Sequence, residues 1–342
     1  MARVGLTVPT SPTSLRRFAD QLIQEAARAT APGPRAAFSV AGRDLEVRFA
    51  SAGLYAALAP AWSALSPTTG EGVTLHVVDR DAGGDPPAPP WPADAYRPRD
   101  EIDGVGDERL EVAYQLTTGT LMLWDARART GVWWTRSAAE IPVWERAMPL
   151  RALLRWALRD AGVALVHGAA VGTDDALALL VGVGGSGKST LALAAQQAGW
   201  RYVGDDYCAV DPATGMVAPV TSYAKVTEGT LARLPGLDRL RAPLPPSPDG
   251  KVVLSVRPAA ALRLALLALP CVVQDAAPPA PAGPASTMAA LAPTSLLQMP
   301  GSRPTDRELL GQVVRGTPAV TLPSGPVLGE TLAGLRRVLV AG

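Results

Sequence analysis

One segment of the sequence has the residue types and the spacing that phosphate chemistry requires, the run GVGGSGKST at residues 182–190. It fits the G-x-x-x-x-G-K-[ST] pattern of a P-loop, in which backbone N–H groups and the start of the following helix converge on phosphate oxygens. Lys188 would place a positive charge beside the β- and γ-phosphates, and the Ser189 hydroxyl would bind Mg²⁺. The predicted nucleotide-binding residues are Gly184, Gly185, Ser186, Gly187, Lys188, Ser189 and Thr190.

The same run also fits the G-x-G-x-x-G pattern of a dinucleotide-binding turn, which is an alternative to the P-loop. Asp205 follows Gly187 by 18 residues, roughly where such a turn places an acidic ribose contact. That interpretation leaves Lys188 and Ser189 without a role, and it expects a single acidic residue where this chain has two. The sequence therefore favours ATP or GTP over NAD.

The second candidate element is the acidic pair in GDDY, Asp205 and Asp206, predicted at the end of a strand. Carboxylates beside a P-loop usually hold Mg²⁺, directly or through water. If both face the phosphates, one can bind the metal while the other accepts a proton from an attacking hydroxyl. We assign the metal to Ser189 and Asp206 and leave open which aspartate is the base. The alternative is a turn or a helix cap with one solvated aspartate.

Other polar residues are weaker candidates. His167 follows a predicted strand, where a lone histidine is usually structural. Lys225 and Lys251 are the only lysines besides Lys188, so either could reach a nucleotide or substrate phosphate, although a solvated loop position is equally compatible. Two arginines are further candidates. Arg263 could contact a phosphate, although a structural ion pair is equally compatible with its position, and Arg303 could act as an arginine finger.

Two further groups have structural explanations that we prefer. Arg151, Arg155 and Arg159 recur every four residues on a predicted helix, which indicates a solvated face more than a site for an acidic peptide. The tryptophans Trp124, Trp133 and Trp134 are expected in a core; if exposed, they would instead mark a peptide-binding groove.

The elements predicted around residues 182–190 supply the context that a P-loop needs. Strands are expected at 164–172 and 176–182, a helix follows the glycine run, and a further strand ends at Asp205. An amphipathic helix over 147–162 precedes them. The first part of the chain predicts a helix capped by Ser11, a hairpin over 37–49, a helix over 54–65, a strand over 73–79, a mobile proline-rich surface loop over 83–99, and an antiparallel meander after it.

These elements predict two domains: a smaller α+β domain over residues 1–140 and an α/β P-loop kinase domain over residues 141–342. The hydrophobic content of 48% excludes a disordered chain, and the net charge of +1 gives no drive toward nucleic acid or anionic membranes. Two cysteines are too few for a disulfide framework or a cysteine zinc site. The opening residues lack the apolar core of a signal peptide, and the apolar run 259–273 is short and interrupted. We therefore expect a cytoplasmic protein with no nucleic-acid or membrane partner.

The segments VHGAAV, ALLVGVGGSGKSTLALAAQQAGW and RYVGDDYCAV together resemble the catalytic domain of bacterial HPr kinase/phosphorylase. They are more similar still to the HPr-kinase-related proteins found beside peptide natural-product genes. In that family a His-Gly precedes the P-loop by about twenty residues and an Asp-Asp ends the next strand. Here His167 precedes Lys188 by 21 residues, and Asp205 and Asp206 follow Lys188 by 17 and 18. The resemblance is specific over about residues 160–212 and weaker to about residue 340.

This resemblance implies a fold of the phosphoenolpyruvate-carboxykinase-like kind, ATP and Mg²⁺ as cofactors, and phosphorylation of a serine hydroxyl. It implies that His167, Lys188, Asp205 and Asp206 are catalytic. The expected partner is a serine-containing protein or precursor peptide, and a homo-oligomer is left open. The N-terminal domain does not match the N-terminal domain of HPr kinase and is interpreted as a substrate or partner module.

The sequence also departs from HPr kinase. Thr190 stands where that family has a glutamate, and the glycine-bearing loop with a magnesium-binding glutamate has no clear counterpart after residue 212. Reverse phosphorylase activity and HPr itself as substrate are therefore not expected. Two other classes remain open: a P-loop ATPase that acts as a regulatory or assembly switch, and an enzyme with small-molecule kinase or carboxykinase chemistry.

Overall fold

The computed structural model describes residues 11–341, except residues 71, 99, 103, 104, 175 and 276. The opening residues 1–10, in which the sequence shows no signal-peptide core, lie outside this description. The chain is a mixed α/β protein with two large sheets and a two-stranded ribbon, so its predicted α/β character is confirmed.

The first sheet has six strands in the order β1-β2-β3-β6-β5-β4. Its strands are β1 (Arg35–Val40), β2 (Arg43–Phe49), β3 (Val73–Asp79), β4 (Leu110–Gln115), β5 (Thr120–Asp125) and β6 (Thr130–Thr135). The helices of this region are α1 (Pro12–Thr30), α2 (Ala52–Leu58) and α3 (Arg80–Gly83), and a 3₁₀ helix (Ala59–Trp62) follows α2. The predicted hairpin, the strand over 73–79 and the meander β4–β5–β6 are all present.

Helix α1 covers one face of the first sheet. Ser11 caps it by accepting a hydrogen bond from the Ser14 N–H, and its apolar side buries Leu15, Phe18 and Leu22 against strands of the sheet. The proline-rich segment lies mostly at the surface over residues 83–98, as the sequence predicted, but it is anchored by buried side chains. Trp91, in the middle of that segment, is buried and packs edge-on against Phe18 with 5.1 Å between ring centroids.

The predicted helix over 147–162 is present as α5 (Arg151–Asp160), which begins later than predicted and follows a separate short helix, α4 (Val143–Ala147). The chain breaks at Leu150, which has φ of +58°. The Leu150 N–H donates to the buried Glu145 carboxylate at 2.7 Å, and this hydrogen bond helps to hold the break. Helix α5 then packs against both the first sheet and β7 (Ala164–Gly172) of the second sheet.

Because α5 lies between two sheets, the predicted solvated arginine face is wrong: Arg151 is half-buried and the other two arginines are fully buried. Arg155 and Arg159 are buried, at 2% and 3% exposure. Arg155 pairs with Asp306 at 3.1 Å, and Arg159 forms a close ion pair with Glu111. A helix with apolar residues on nearly all sides is buried all round, and its charges must then find partners inside the protein.

The second sheet has eight strands, with β9 paired to β7 beside the main order β11-β10-β7-β8-β14-β16-β15. After β7 the elements are β8 (Leu177–Val181), α6 (Lys188–Gln197), β9 (Arg201–Gly204), β10 (Tyr207–Asp211), β11 (Met216–Pro219), β12 (Tyr223–Thr227), α7 (Glu228–Arg233), β13 (Lys251–Ser255), β14 (Leu262–Val272), β15 (Ala280–Pro281), α8 (Pro284–Leu296), α9 (Pro304–Gly316), β16 (Ala319–Ser324) and α10 (Leu328–Ala341). Strands β12 and β13 form a separate antiparallel pair, which we call the ribbon.

The predicted order of strand, glycine run, helix and strand is present as β8, residues 182–187, α6 and β9. Strand β8 is buried between β7, which runs antiparallel to it, and β14, which runs parallel to it. The apolar run 259–273 forms β14, and none of the helices in the described part of the chain is both long enough and apolar enough to span a membrane.

Candidate active site

The glycine run between β8 and α6 turns sharply at three glycines with positive φ. Gly182, Gly185 and Gly187 have φ of +148°, +81° and +95°, values that side chains disfavour and glycine allows. Helix α6 begins directly afterwards at Lys188. The sequence therefore places glycine at the positions where this loop turns its backbone toward the start of a helix.

The Lys188 side chain lies inside the loop and is 7% exposed. Its Nζ donates to the carbonyl oxygens of Gly182 at 2.7 Å and Val183 at 3.0 Å. Burial lowers the pKa of Lys188, while the nearby carboxylates of Asp205 and Asp206 act in the opposite direction. The ammonium group thus bridges two carbonyl groups of the loop and lies near the acidic pair.

The acidic pair lies in a tight turn between β9 and β10. Asp206 has φ of +68°, and the Tyr207 N–H donates to the Asp205 carbonyl oxygen at 2.8 Å, which closes a three-residue γ-turn around Asp206. Adjacent residues on a strand point to opposite faces, but this turn lets both carboxylates line the same cavity. Positive φ is costly for a residue other than glycine, and such strain clusters at functional sites.

Asp205 is the more deeply buried member of the pair, at 1% exposure. Its Oδ1 accepts a hydrogen bond from the Ser189 hydroxyl at 2.9 Å, while its Oδ2 is buried and has no hydrogen-bond partner. Burial, together with the neighbouring charge of Asp206, raises the pKa of Asp205 to about 6. One oxygen of this buried carboxylate therefore lies beside the Ser189 hydroxyl without a hydrogen-bond partner of its own.

Asp206 has a different set of partners. Its Oδ2 lies 2.7 Å from the Lys225 Nζ, and its Oδ1 lies 3.6 Å from the His167 Nδ1. Burial opposes ionisation of Asp206, but the positive charge of Lys225 and the nearby His167 outweigh it and hold the pKa at about 2.

His167 lies on β7 directly opposite Tyr207 of β10, with 5.1 Å between the two ring centroids. Burial lowers the pKa of His167 to about 4, so its imidazole is neutral at physiological pH. The neutral ring stands beside the carboxylate of Asp206 and faces the same cavity.

These side chains meet around one cavity of about 230 Å³, which we call the P-loop cavity. Its lining consists of His167, residues 184–190, Asp205, Asp206, Lys225, Val226, Thr227, Thr230 and Lys251. The predicted catalytic and nucleotide-binding residues are thus all brought together. The chain has three lysines, and all three line this cavity.

The ribbon supplies two of these lysines. In its register Lys225 lies opposite Val253 and Thr227 lies opposite Lys251, so Lys225, Thr227 and Lys251 share one face. A chain of hydroxyl contacts ties the ribbon to the P-loop helix, since Thr190 Oγ1 is 2.8 Å from Thr230 Oγ1, which is 3.2 Å from Thr227 Oγ1. From the sequence, each of these two lysines is equally compatible with a phosphate contact and with a solvated loop position, and the rarity of lysine is the only signal for the former. Nothing in the sequence indicates that the threonines line the cavity.

The other sequence candidates lie away from this cavity. Arg263 is exposed on β14 and is not part of the lining. Arg303 precedes α9, where it donates to the Asp107 and Glu108 carbonyl oxygens and lies 3.4 Å from Glu111. An arginine finger at Arg303 is therefore not supported. The tryptophans Trp124, Trp133 and Trp134 are buried in the core, as preferred from the sequence.

The residues present fit a magnesium ion held together with phosphate oxygens. Mg²⁺ in phosphate sites takes one or two carboxylates and substrate oxygens, and Ser189 with Asp205 offers a hydroxyl and a free carboxylate oxygen. The sequence assigned the metal to Ser189 and Asp206; that assignment remains a prediction, and the contacts favour Asp205. Within the described ranges no group of three or more His, Cys, Asp and Glu side chains is placed to hold a metal.

Comparison of the chain with protein-family models gives no match, and comparison with curated proteins gives none either.

Proposed function

We propose that this protein is an ATP-dependent kinase of the HPr-kinase-related kind, which transfers the γ-phosphoryl group of MgATP to a serine hydroxyl of a protein or precursor peptide. The observation that carries the proposal is the convergence of a P-loop, both aspartates and every lysine of the chain on one cavity. Phosphoryl transfer depends on positioning and on neutralising charge, and these groups provide both.

The donor side of the proposed site is the glycine run and the residues that follow it. Backbone N–H groups of residues 184–190 would hold the phosphates, and Lys188 would exchange its contacts with the loop carbonyls for phosphate oxygens. Ser189 and Asp205 would hold Mg²⁺, which would neutralise charge on the β- and γ-phosphates.

The acceptor side is formed by Asp206 and His167. Because Asp205 is engaged with Ser189, Asp206 is the carboxylate left to face an incoming serine hydroxyl and accept its proton. The neutral imidazole of His167 borders the same position and would orient the hydroxyl. The demand on this base is modest, since phosphoryl transfer passes through a loose transition state with little bond formation to the attacking oxygen.

The experiment follows the γ-phosphoryl group. The full chain is incubated with γ-labelled MgATP and a lysate of the source cells, beside Lys188→Ala, Arg263→Ala and a sample without added protein. Lys188→Ala should lose at least about 100-fold in labelling, because it removes a charge that acts in the transition state. Arg263→Ala, which removes an exposed charge outside the cavity, should label like the wild type.

Each labelled product would identify one of the three candidate functions. A labelled phosphoserine polypeptide that is absent with Lys188→Ala supports the kinase and identifies its acceptor. Labelled inorganic phosphate alone would replace the proposal by an ATPase switch, and labelling of a metabolite without protein acceptor would replace it by a small-molecule kinase. Activity of Lys188→Ala within tenfold of the wild type would refute a catalytic role for the P-loop.

A further inference from the structure

The P-loop cavity contains an ion pair between a lysine of the ribbon and an aspartate of the acidic pair. Lys225 Nζ is 2.7 Å from Asp206 Oδ2, and both side chains are 15% exposed. The three lysines outnumber the two aspartates that line the cavity, so its ionised side chains carry a net positive charge. Phosphate oxygens entering this space would compete with Asp206 for the Lys225 ammonium group.

Lys225 is held on the side of the cavity that faces the P-loop helix. It lies on β12, two residues before Thr227, whose hydroxyl caps α7 by accepting from the Thr230 N–H at 3.2 Å. Thr230 in turn contacts Thr190 of α6 through their hydroxyls. The strand that carries Lys225 is thus fixed relative to the loop that would hold the phosphates, while the lysine side chain itself is flexible.

We propose that Lys225 is a catalytic residue that exchanges partners during the reaction that the proposed function describes. In this structure it is the counter-ion of Asp206; when a nucleoside triphosphate binds, it moves to the γ-phosphate and leaves Asp206 free for the acceptor. The inference rests on the proposed kinase function. It adds Lys225 to the catalytic residues, and it adds an order of binding in which the nucleotide binds first and makes the acceptor side available.

The step balances in atoms and charge. The serine Oγ forms a bond to the γ-phosphorus, the bond from that phosphorus to the β,γ-bridging oxygen breaks, and ADP leaves with the electron pair. The serine proton passes to the Asp206 carboxylate. Lys225 stays protonated throughout and neutralises negative charge on the transferring group.

The test compares ATP with ADP, which differ in the γ-phosphate alone. Calorimetry in the presence of Mg²⁺ measures the binding of each nucleotide to four proteins. They are the wild type, the single variants Lys225→Met and Arg263→Met, and the double variant Lys225→Met with Asp206→Asn. If Lys225 binds the γ-phosphate, Lys225→Met should lose about 10- to 100-fold in ATP affinity relative to ADP affinity, the value of a charged hydrogen bond.

The double variant separates a catalytic role from a structural one. If Lys225 only balances Asp206, removing both charges should restore the wild-type ratio of ATP to ADP affinity, and that result would overturn the proposal. If Lys225 binds the γ-phosphate, the loss should persist in the double variant. That variant does not leave the Asp206 carboxylate without its counter-ion, so it keeps the test informative if the single variant fails to fold.

Arg263→Met should leave both affinities unchanged, since it lies outside the cavity. A wild-type protein that binds neither nucleotide would refute the proposed function itself. Binding of both nucleotides with an unchanged ratio in the Lys225 variants would refute the role of Lys225 alone.

Discussion

Asp205 and Asp206 are neighbours in the sequence, and the turn between β9 and β10 gives them different surroundings. Asp205 is buried with one oxygen on Ser189 and one without a partner, whereas Asp206 is compensated by Lys225 and adjoins His167. Two carboxylates in different environments can take different tasks in one reaction. The Asp205 carboxylate should lower the stability of the fold, because it is buried and its charge is not fully compensated.

Asp205→Asn should therefore stabilise the empty protein and inactivate it. The substitution removes an incompletely paired buried charge, and we expect the free energy of unfolding in magnesium-free buffer to rise by about 1–3 kcal/mol. Phosphoryl transfer should fall by at least about 100-fold, because the proposed metal ligand is lost. Urea unfolding and a transfer assay measure the two effects.

The control for Asp205→Asn is Asp174→Asn, which neutralises an exposed aspartate that is paired with Arg201 at the surface. It should change the free energy of unfolding by less than about 1 kcal/mol and leave transfer unaffected. A lower unfolding free energy for Asp205→Asn than for the wild type would contradict the inference that the charge of Asp205 destabilises the folded protein.

His76 makes the stability of the fold depend on pH. It is 4% exposed on β3, shares a 2.7 Å hydrogen bond with the Thr30 hydroxyl, and has its pKa lowered by burial from 6.5 to about 4. Below pH 6.5 the unfolded chain takes up a proton that the folded protein refuses until about pH 4. The unfolding free energy should therefore fall as the pH drops through this window, by roughly 3 kcal/mol from this group.

Urea unfolding of the wild type and His76→Gln between about pH 7 and about pH 4 tests this expectation. The variant lacks the titrating group, so the difference between the two proteins should grow in favour of the variant as the pH falls. Parallel curves would show that the imidazole is protonated equally in both states.

At the scale of elements, helix α5 is the part of the chain that joins the two sheets. Its arginines reach partners from distant segments: Arg155 pairs with Asp306 of α9, and Arg159 pairs with Glu111 of β4. Arg159 also donates to the Gly301 carbonyl oxygen at 3.4 Å. These contacts fix the helix against the first sheet on one side and against α9 on the other.

Arg159→Met should lower the free energy of unfolding by roughly 3 kcal/mol, because it leaves buried Glu111 without its main counter-ion. The double variant Arg159→Met with Glu111→Gln should recover much of that loss, since position 111 then carries no buried unpaired charge. Arg201→Met removes an exposed arginine that is paired with Asp174 and should cost less than about 1 kcal/mol. An equal loss in the single and double variants would contradict this explanation.

The sequence predicts local elements well and their tertiary partners poorly. The glycine run, the strand before it and the helix after it follow from residue types within about twenty positions, and the structure contains all of them. The contribution of the ribbon could not be predicted, because Lys225 and Lys251 reach the cavity through a fold that no local pattern encodes. The spacing of the arginines of α5 predicts a solvated face, and that prediction fails because the other sides of the helix are apolar and strands of both sheets pack around it.

At the scale of the whole molecule, one hydrophobic cluster runs from the first sheet to the second. It includes Leu75 of β3, Leu153 and Trp156 of α5, and Leu165 and Ala209 of the second sheet. A boundary at residue 140, as predicted from the sequence, would remove α5 from the face of the first sheet that it covers. Apolar strands would then meet water.

A fragment of residues 1–140 should therefore bind a hydrophobic dye and unfold without a sharp transition, whereas a fragment of residues 1–162 should bind less dye and unfold more cooperatively. Dye fluorescence and urea unfolding of both fragments beside the intact chain provide the measurement. Cooperative unfolding of fragment 1–140 without dye binding would show that the first sheet is complete without α5.

All three lysines of the chain line one cavity, and this determines where amine-reactive reagents can modify the protein. Apart from the α-amino group, the only primary amines of the chain are those of Lys188, Lys225 and Lys251, and the rest of its basic surface consists of arginine. Acylating reagents modify amines and spare guanidinium groups. Apart from the α-amino group, mild acetylation followed by mass spectrometry would therefore label only this cavity, and any ligand that fills the cavity should protect its lysines without a background from lysines elsewhere on the protein.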